Sequence, residues 1–267
     1  MRLVLRTSSS SWPTSRLLLK RALQIVLGIC LFLGIWQLAV SGLRIPKYLV
    51  PLPLDVLRAA RQNWTVIAGQ ASVTLAAATL GLAVSTVFAV GVALCFSVSR
   101  NLAQMSLPLL MIFRSMPVAA VAPIMMLILG RGIATSLAVV TIVSFFPLLV
   151  NLVRGLENAD RNALELLHVC GASRWQTLRM VRLPFALPYL FAGLRVAGAS
   201  AILGAMLSEW ITGSKGLGNL ILESGEMREI ETLWAAVIVS VFFAMVVFWI
   251  TSACEKRSLS WTQSDLT

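Results

Sequence analysis

The chain has 267 residues, 58% hydrophobic and 12% charged, with 22 Lys and Arg against 11 Asp and Glu. Soluble domains carry about 25% charged residues, so this chain cannot cover its own apolar surface for water. Its net charge of +11 would suit a nucleic-acid binder, but the basic residues are scattered between apolar runs without interleaved aromatics that stack bases. That pattern argues for no nucleic acid and for basic loops flanking membrane spans.

No charged residue falls between Arg21 and Arg44, Arg61 and Arg100, Arg131 and Arg154, or Glu231 and Glu255. Each gap reaches the ~20 apolar residues that a helix needs to cross ~30 Å of hydrocarbon. Two more apolar stretches, 101–130 and 183–208, are each interrupted by one arginine, Arg114 and Arg195. The runs are continuous rather than alternating, which favours helices over a membrane barrel. The expectation is an all-α polytopic membrane protein with about six spans, at 22–41, 66–98, 102–130, 132–152, 185–209 and 232–254.

The first span follows Arg16, Lys20 and Arg21 and ends at Ala39, Val40 and Ser41, which also resembles a secretory signal peptide. Residues 22–40 exceed the usual h-region of about 7–15 residues, which favours an uncleaved span. With the N-terminus inside, thirteen of the 22 basic residues fall on the inner side, and seven on the outer (Arg44, Lys47, Arg58, Arg61, Arg131, Lys215 and Arg228). Arg114 and Arg195 lie within spans. The bias places both termini in the cytoplasm.

In the third span Pro108, Pro117 and Pro123 each remove a backbone donor. The reading is a slanted approach over 101–116 along the cytoplasmic boundary, then a crossing near 117–130, with Arg114 close to the interface. The fifth span is dense in small residues, among them Gly193, Gly198 and Gly204, which let helix backbones approach closely in lipid. Arg195 in that span could snorkel inward or pair across a dimer. Glu209, at its end near the outer face, is either solvated or part of the pathway. The outer loop 210–231 carries Glu223, Glu226, Glu229 and Glu231, and Gly216-Leu217-Gly218 reads as a turn within it. No strand precedes those glycines, so they do not form a nucleotide-binding loop.

Between the fourth and fifth spans, residues 154–184 form a charged loop on the inner side. Asp160 is a good N-cap, Asn162 and Glu165 have capping-box spacing, and Gly171 suits a left-handed C′ position. A short helix over 161–170 follows, with Leu164 and Leu167 three apart. Ser173 and Gln176 make a second capping box, opening a helix that must stop before Pro184. A short helix projecting from a bundle needs a surface to pack into, and a soluble partner subunit is the physical expectation. Glu165 could instead serve only its cap. His168, the one histidine, has no neighbouring ligand or nucleophile, so partner contact or solvation is expected for it. Cys30, Cys95, Cys170 and Cys254 fit no zinc or redox spacing, and no metal site is expected.

Glu165, Leu166, Leu167 and Gly171, followed after nine residues by Val181, Arg182, Leu183 and Pro184, resemble the EAA loop of bacterial ABC importer permeases. The family pattern is Glu-Ala-Ala, three residues, Gly, nine residues, Ile, one residue, Leu-Pro; here Val181 replaces the Ile, and Leu166 and Leu167 replace the alanines. Arg114 to Pro117, Ala122-Pro123 and Gly130 resemble the family's third-span pattern, and Glu209 followed by Gly216 to Gly218 is similar to the branch that imports nitrate, sulfonates, taurine and related small compounds.

The resemblance covers roughly residues 50–255 and implies a type I importer permease bundle. With the apolar runs and charge bias above, the expected organisation is a cytoplasmic N-terminal segment 1–21, a first span 22–41, a permease core 50–255 with coupling loop 154–184, and a cytoplasmic tail 256–267. The resemblance further implies that Leu164, Glu165, Leu167, His168, Gly171, Ala172 and Ser173 couple to a cytoplasmic ATPase. Glu209, Arg114 and Arg195 are then candidates for the pathway or its gate. Implied partners are a second copy of the chain, two ATPase subunits that bind ATP and Mg, and an extracytoplasmic substrate-binding protein. This chain itself would bind no cofactor. An ion-driven secondary transporter would show inverted repeats or several intramembrane acids, and a membrane enzyme a nucleophile or metal set within the spans; neither pattern is present in the sequence.

Overall fold

The computed structural model describes residues 14–98, 105 and 117–258, and the elements among them are helical. Contacts divide the chain after Arg58. In the first unit, α1 runs Thr14–Gly42, extending past both ends of the expected 22–41 span. Its apolar side chains, such as Leu27, Phe32 and Leu38, are exposed, as lipid-facing residues are. Phe32 and Trp36 meet edge to face at 6.2 Å. Helix α2, Pro53–Gln62, opens on a proline, which suits a first helical position because its missing N–H has no partner there anyway. Asp55 in its first turn takes Lys47 and Arg58, each at 3.4 Å.

The second unit is a helical bundle. Its elements are α3 (Trp64–Val98), α4 (Val118–Leu129), α5 (Ile133–Glu157), α6 (Arg161–Val169), α7 (Arg174–Thr177), a π-turn (Leu178–Arg182), α8 (Leu183–Thr212), α9 (Leu217–Glu226) and α10 (Ile230–Ser258). Four helical stretches are long and apolar enough to cross a membrane: Trp64–Ser97, Ile133–Glu157, Arg174–Thr212 and Ile230–Ser258; Val26–Gly42 and Val118–Leu129 are shorter apolar helices. Helix α5 is central, packed along α3 and α8, while α10 lies on α8. The core is small-residue-rich: Ala89, Ala93, Leu148, Leu149, Leu152, Ala186 and Ala197 form one cluster, and Ala77, Ala78, Val140, Ala201 and Ala205 another.

Close approach explains the small residues of α8 and its neighbours. A Cβ on Gly155 would stand 2.8 Å from Tyr189 Cβ and 2.9 Å from Ala186 Cα, and one on Gly198 2.7 Å from Val247 Cγ1. With little hydrophobic drive between helices in lipid, such packing holds the bundle.

Three expectations change. The crossing near 117–130 is a 12-residue helix, about 18 Å at 1.5 Å per residue, shorter than a full span; its slanted approach lies outside the described residues except for Met105. The helix opened by Ser173 does not stop before Pro184. It passes through the π-turn, in which Leu183 N–H donates to Leu178 C=O, and runs on to Thr212. Pro184, which has no N–H to give, sits in the first turn of α8, so the register shift absorbs the break a proline would otherwise impose. The loop 210–231 contains a helix, α9, opened by the Gly216-Leu217-Gly218 turn.

Candidate functional site

Two regions at opposite ends of the bundle gather the residues singled out from the sequence. At one end is the hairpin of α6 and α7. Asp160 Oδ1 accepts the Asn162 N–H at 3.2 Å and caps α6. The helix ends in a Schellman motif: Ala172 N–H donates to Leu167 C=O at 2.9 Å and Gly171 N–H to His168 C=O at 3.0 Å. Gly171 takes φ +71°, the left-handed region where a Cβ is strained. Ser173 then opens α7 with both bonds of a capping box, Ser173 N–H to Gln176 Oε1 at 2.7 Å and Gln176 N–H to Ser173 Oγ at 3.3 Å.

The hairpin corrects two details. Glu165 does not close a capping box with Asn162; it faces Arg161 Nε at 3.5 Å, one helical turn away, and both side chains are exposed. Leu164 and Leu167 are half-buried, while the apolar side chains turned outward are Leu166, Val169 and Trp175. Leu164, His168 and Ala172 line a cleft of about 1060 Å³ with Trp175, Arg174 and Arg182. Arg182 Nη1 donates to Ser97 C=O at 3.4 Å, linking this end of α8 to α3.

At the other end lies Glu209, in the last turn of α8 and fully buried, not solvated. Its Oε2 accepts from Thr74 Oγ1 at 3.0 Å and from Gly218 N–H at 2.9 Å, while Oε1 has no hydrogen-bond partner among the described residues. The N–H groups of Gly216 and Leu217 donate to Gln70 Oε1 at 2.7 Å and Thr74 Oγ1 at 2.8 Å. Three successive N–H donors at the start of α9 are thus satisfied by side chains of α3 and α8, where a helix would otherwise leave them unpaired. Carboxylate and positive helix end also complement each other. The glycines are sterically required: a Cβ on Gly216 would overlap the Glu209 carboxylate, and one on Gly218 the Met206 carbonyl oxygen.

Gln70 and Thr74 were not singled out from the sequence. Their signal was two polar residues four apart, hence on one face, in a helix without charged residues. Arg195 is paired within the chain: Nη1 lies 2.9 Å from Glu255 Oε2 and Nη2 donates to Glu255 Oε1 at 3.3 Å, joining α8 to α10. Arg114 lies outside the described residues. Among the described residues no three His, Cys, Asp or Glu side chains gather as a metal site, and the four cysteines are free and exposed.

Residues 81–259 match the model of a protein family described as "Binding-protein-dependent transport system inner membrane component". The chain belongs to this family. It is an all-helical type I permease subunit of an ABC importer, an inner-membrane transport component. A probable ABC transporter permease protein of Haemophilus influenzae is 31% identical to the permease over 85% of this chain and 93% of its own length. A formylaminopyrimidine transport permease of Halalkalibacterium halodurans is 32% identical over 92% and 98%. In fold, the permease is similar to a chain of the inward-facing MetNI methionine ABC transporter, with a TM-score of 0.67 and 17% identity, covering 74% of this chain and 98% of that one.

Proposed function

We propose that the α6–α7 hairpin is the contact through which a separate cytoplasmic ATPase drives this permease. The observation that carries this reading is the hairpin itself: both caps and the Schellman turn are self-contained, no residue of α6 is buried, and Leu166, Val169 and Trp175 are presented outward. A preformed element with apolar side chains and little bundle contact suits a groove on a partner. Leu164, Glu165, Leu167, His168, Gly171, Ala172 and Ser173 then form or support the contact. ATP and Mg belong to that partner, and the permease binds no cofactor of its own.

On this reading both termini are cytoplasmic, in keeping with the basic bias, and a second copy of the chain completes the pathway. An extracytoplasmic binding protein delivers a small solute, of the sulfonate, nitrate, taurine or vitamin-precursor kind; the formylaminopyrimidine relative supports the last. Glu209 acts at the outer gate, not along an open pathway, since it is buried.

The test is co-purification with the candidate ATPase and uptake into vesicles, comparing wild type, Gly171→Trp and Gly171→Asn. Asn tolerates the left-handed conformation and Trp does not. ATP-dependent uptake in wild type and the Asn variant, with loss in the Trp variant, is the expected result. Uptake without an ATPase that collapses with the proton or sodium gradient would contradict the reading and favour a secondary transporter.

A further inference from the structure

Glu209 is out of place by local rules. A carboxylate in the last turn of α8 faces the negative end of its own helix dipole, and a fully buried one lacks solvent. Its neighbours explain the position. Its backbone C=O accepts the N–H of Gly213 and of Ser214, the latter at 3.2 Å, while its side chain holds Gly218 of α9 and Thr74 of α3. One residue therefore ties together the end of α8, the start of α9 and the first turns of α3.

These bonds do not come apart singly. Moving α9 away would take from the N–H groups of residues 216–218 and from the Glu209 side chain the partners they have while buried, and unpaired buried polar groups are strongly disfavoured. Gly216 also packs directly against the Glu209 carboxylate, with no room for a Cβ between them. A further bond, Asn63 Nδ2 to Thr232 Oγ1 at 3.0 Å, fastens the start of α10 to the start of α3. At the hairpin end α3 and the start of α8 share an apolar core that includes Ala89, Ala93, Leu178 and Ala186, and among the described residues Arg182 donates to Ser97 C=O at 3.4 Å beside an open cleft.

We infer that Glu209 is a positioning residue that makes the ends of α3, α8 and α10 and the whole of α9 one block throughout the transport cycle. Movement imparted at the hairpin end then reaches the outer end without being absorbed in α9. This rests on the reading of the hairpin as the ATPase contact, so ATP-driven uptake by the wild-type complex is established first in the same vesicles.

The test joins Asn63→Cys to Thr232→Cys, with the four native cysteines replaced by alanine, in the complete transporter. Disulfide yield is expected to be equal, within about twofold, in the nucleotide-free and the ATP/vanadate-trapped complex, and the oxidised protein should transport as the reduced one does. In amount-matched complexes, Glu209→Ala should lower solute moved per ATP by about tenfold, the scale of one buried hydrogen bond. Glu209→Gln keeps an acceptor for Thr74 and Gly218 and should recover most of that ratio. A purely structural role would reduce the amount of complex and leave the ratio unchanged. Collapse of the disulfide yield in the trapped state, uptake lost on oxidation and restored by dithiothreitol, or an unchanged ratio in Glu209→Ala would each overturn the inference.

Discussion

The two ends of the bundle are built by different means. At the hairpin end the bonds that shape the turn and caps are local: Asp160 to Asn162, Ser173 to Gln176, Ala172 to Leu167. Its turn and caps are made without the bundle and no residue of α6 is buried, while α7 runs on into α8. At the opposite end the bonds join residues far apart in sequence, Gln70 to Gly216 and Thr74 to Glu209, and the element exists only because three helices meet there. A locally capped hairpin can be moved as a unit by an outside force, while a buried clasp holds helices in register.

If this contrast is right, damage to the clasp costs more than damage to the hairpin. Gly218→Val places side-chain atoms where the Met206 carbonyl stands and should be the worst change, destabilising by about 3 kcal/mol or more. It would be read as loss of folded protein in detergent. Gly155→Val forces α5 from α8 at Tyr189 and Ala186 and should cost about 2 kcal/mol, read as a lowered melting temperature.

Arg195→Ala leaves Glu255 without its arginine in a half-buried setting. A loss of about 1–2 kcal/mol is expected, intermediate between exposed and buried pairs. Recovery in Arg195→Glu with Glu255→Arg would show that the pair itself matters. Ser173→Ala removes only the α7 cap and should cost about 0.5–1 kcal/mol. Its effect should appear in coupling to the ATPase before it appears in folding, since no residue of α7 is buried.

The same contrast explains what could be read from the sequence. Asp160, Gly171, Ser173 and Gln176 act within a few residues of one another, so their spacing alone announces the turns. The spans were legible because lipid selects on length and apolarity. The bonds at Glu209 depend on which helices become neighbours, and no spacing encodes that. The partner of Arg195 escaped for the same reason: Glu255 lies 60 residues away on a helix whose facing side no local pattern specifies. The continuation past Pro184 was missed because a π-turn shifts the hydrogen-bond register just where the proline lacks a donor.

The most direct test of the account asks which end of the bundle meets the ATPase. Cys170 is exposed at the hairpin tip, and Met227 is exposed just beyond α9. With Cys30, Cys95 and Cys254 replaced by alanine, a short thiol-reactive cross-linker on Cys170 should capture the ATPase in membranes. With Cys170 also replaced by alanine, Met227→Cys should capture the binding protein and no ATPase. Capture of the ATPase from position 227, or none from Cys170 in a complex that transports with ATP, would contradict the account.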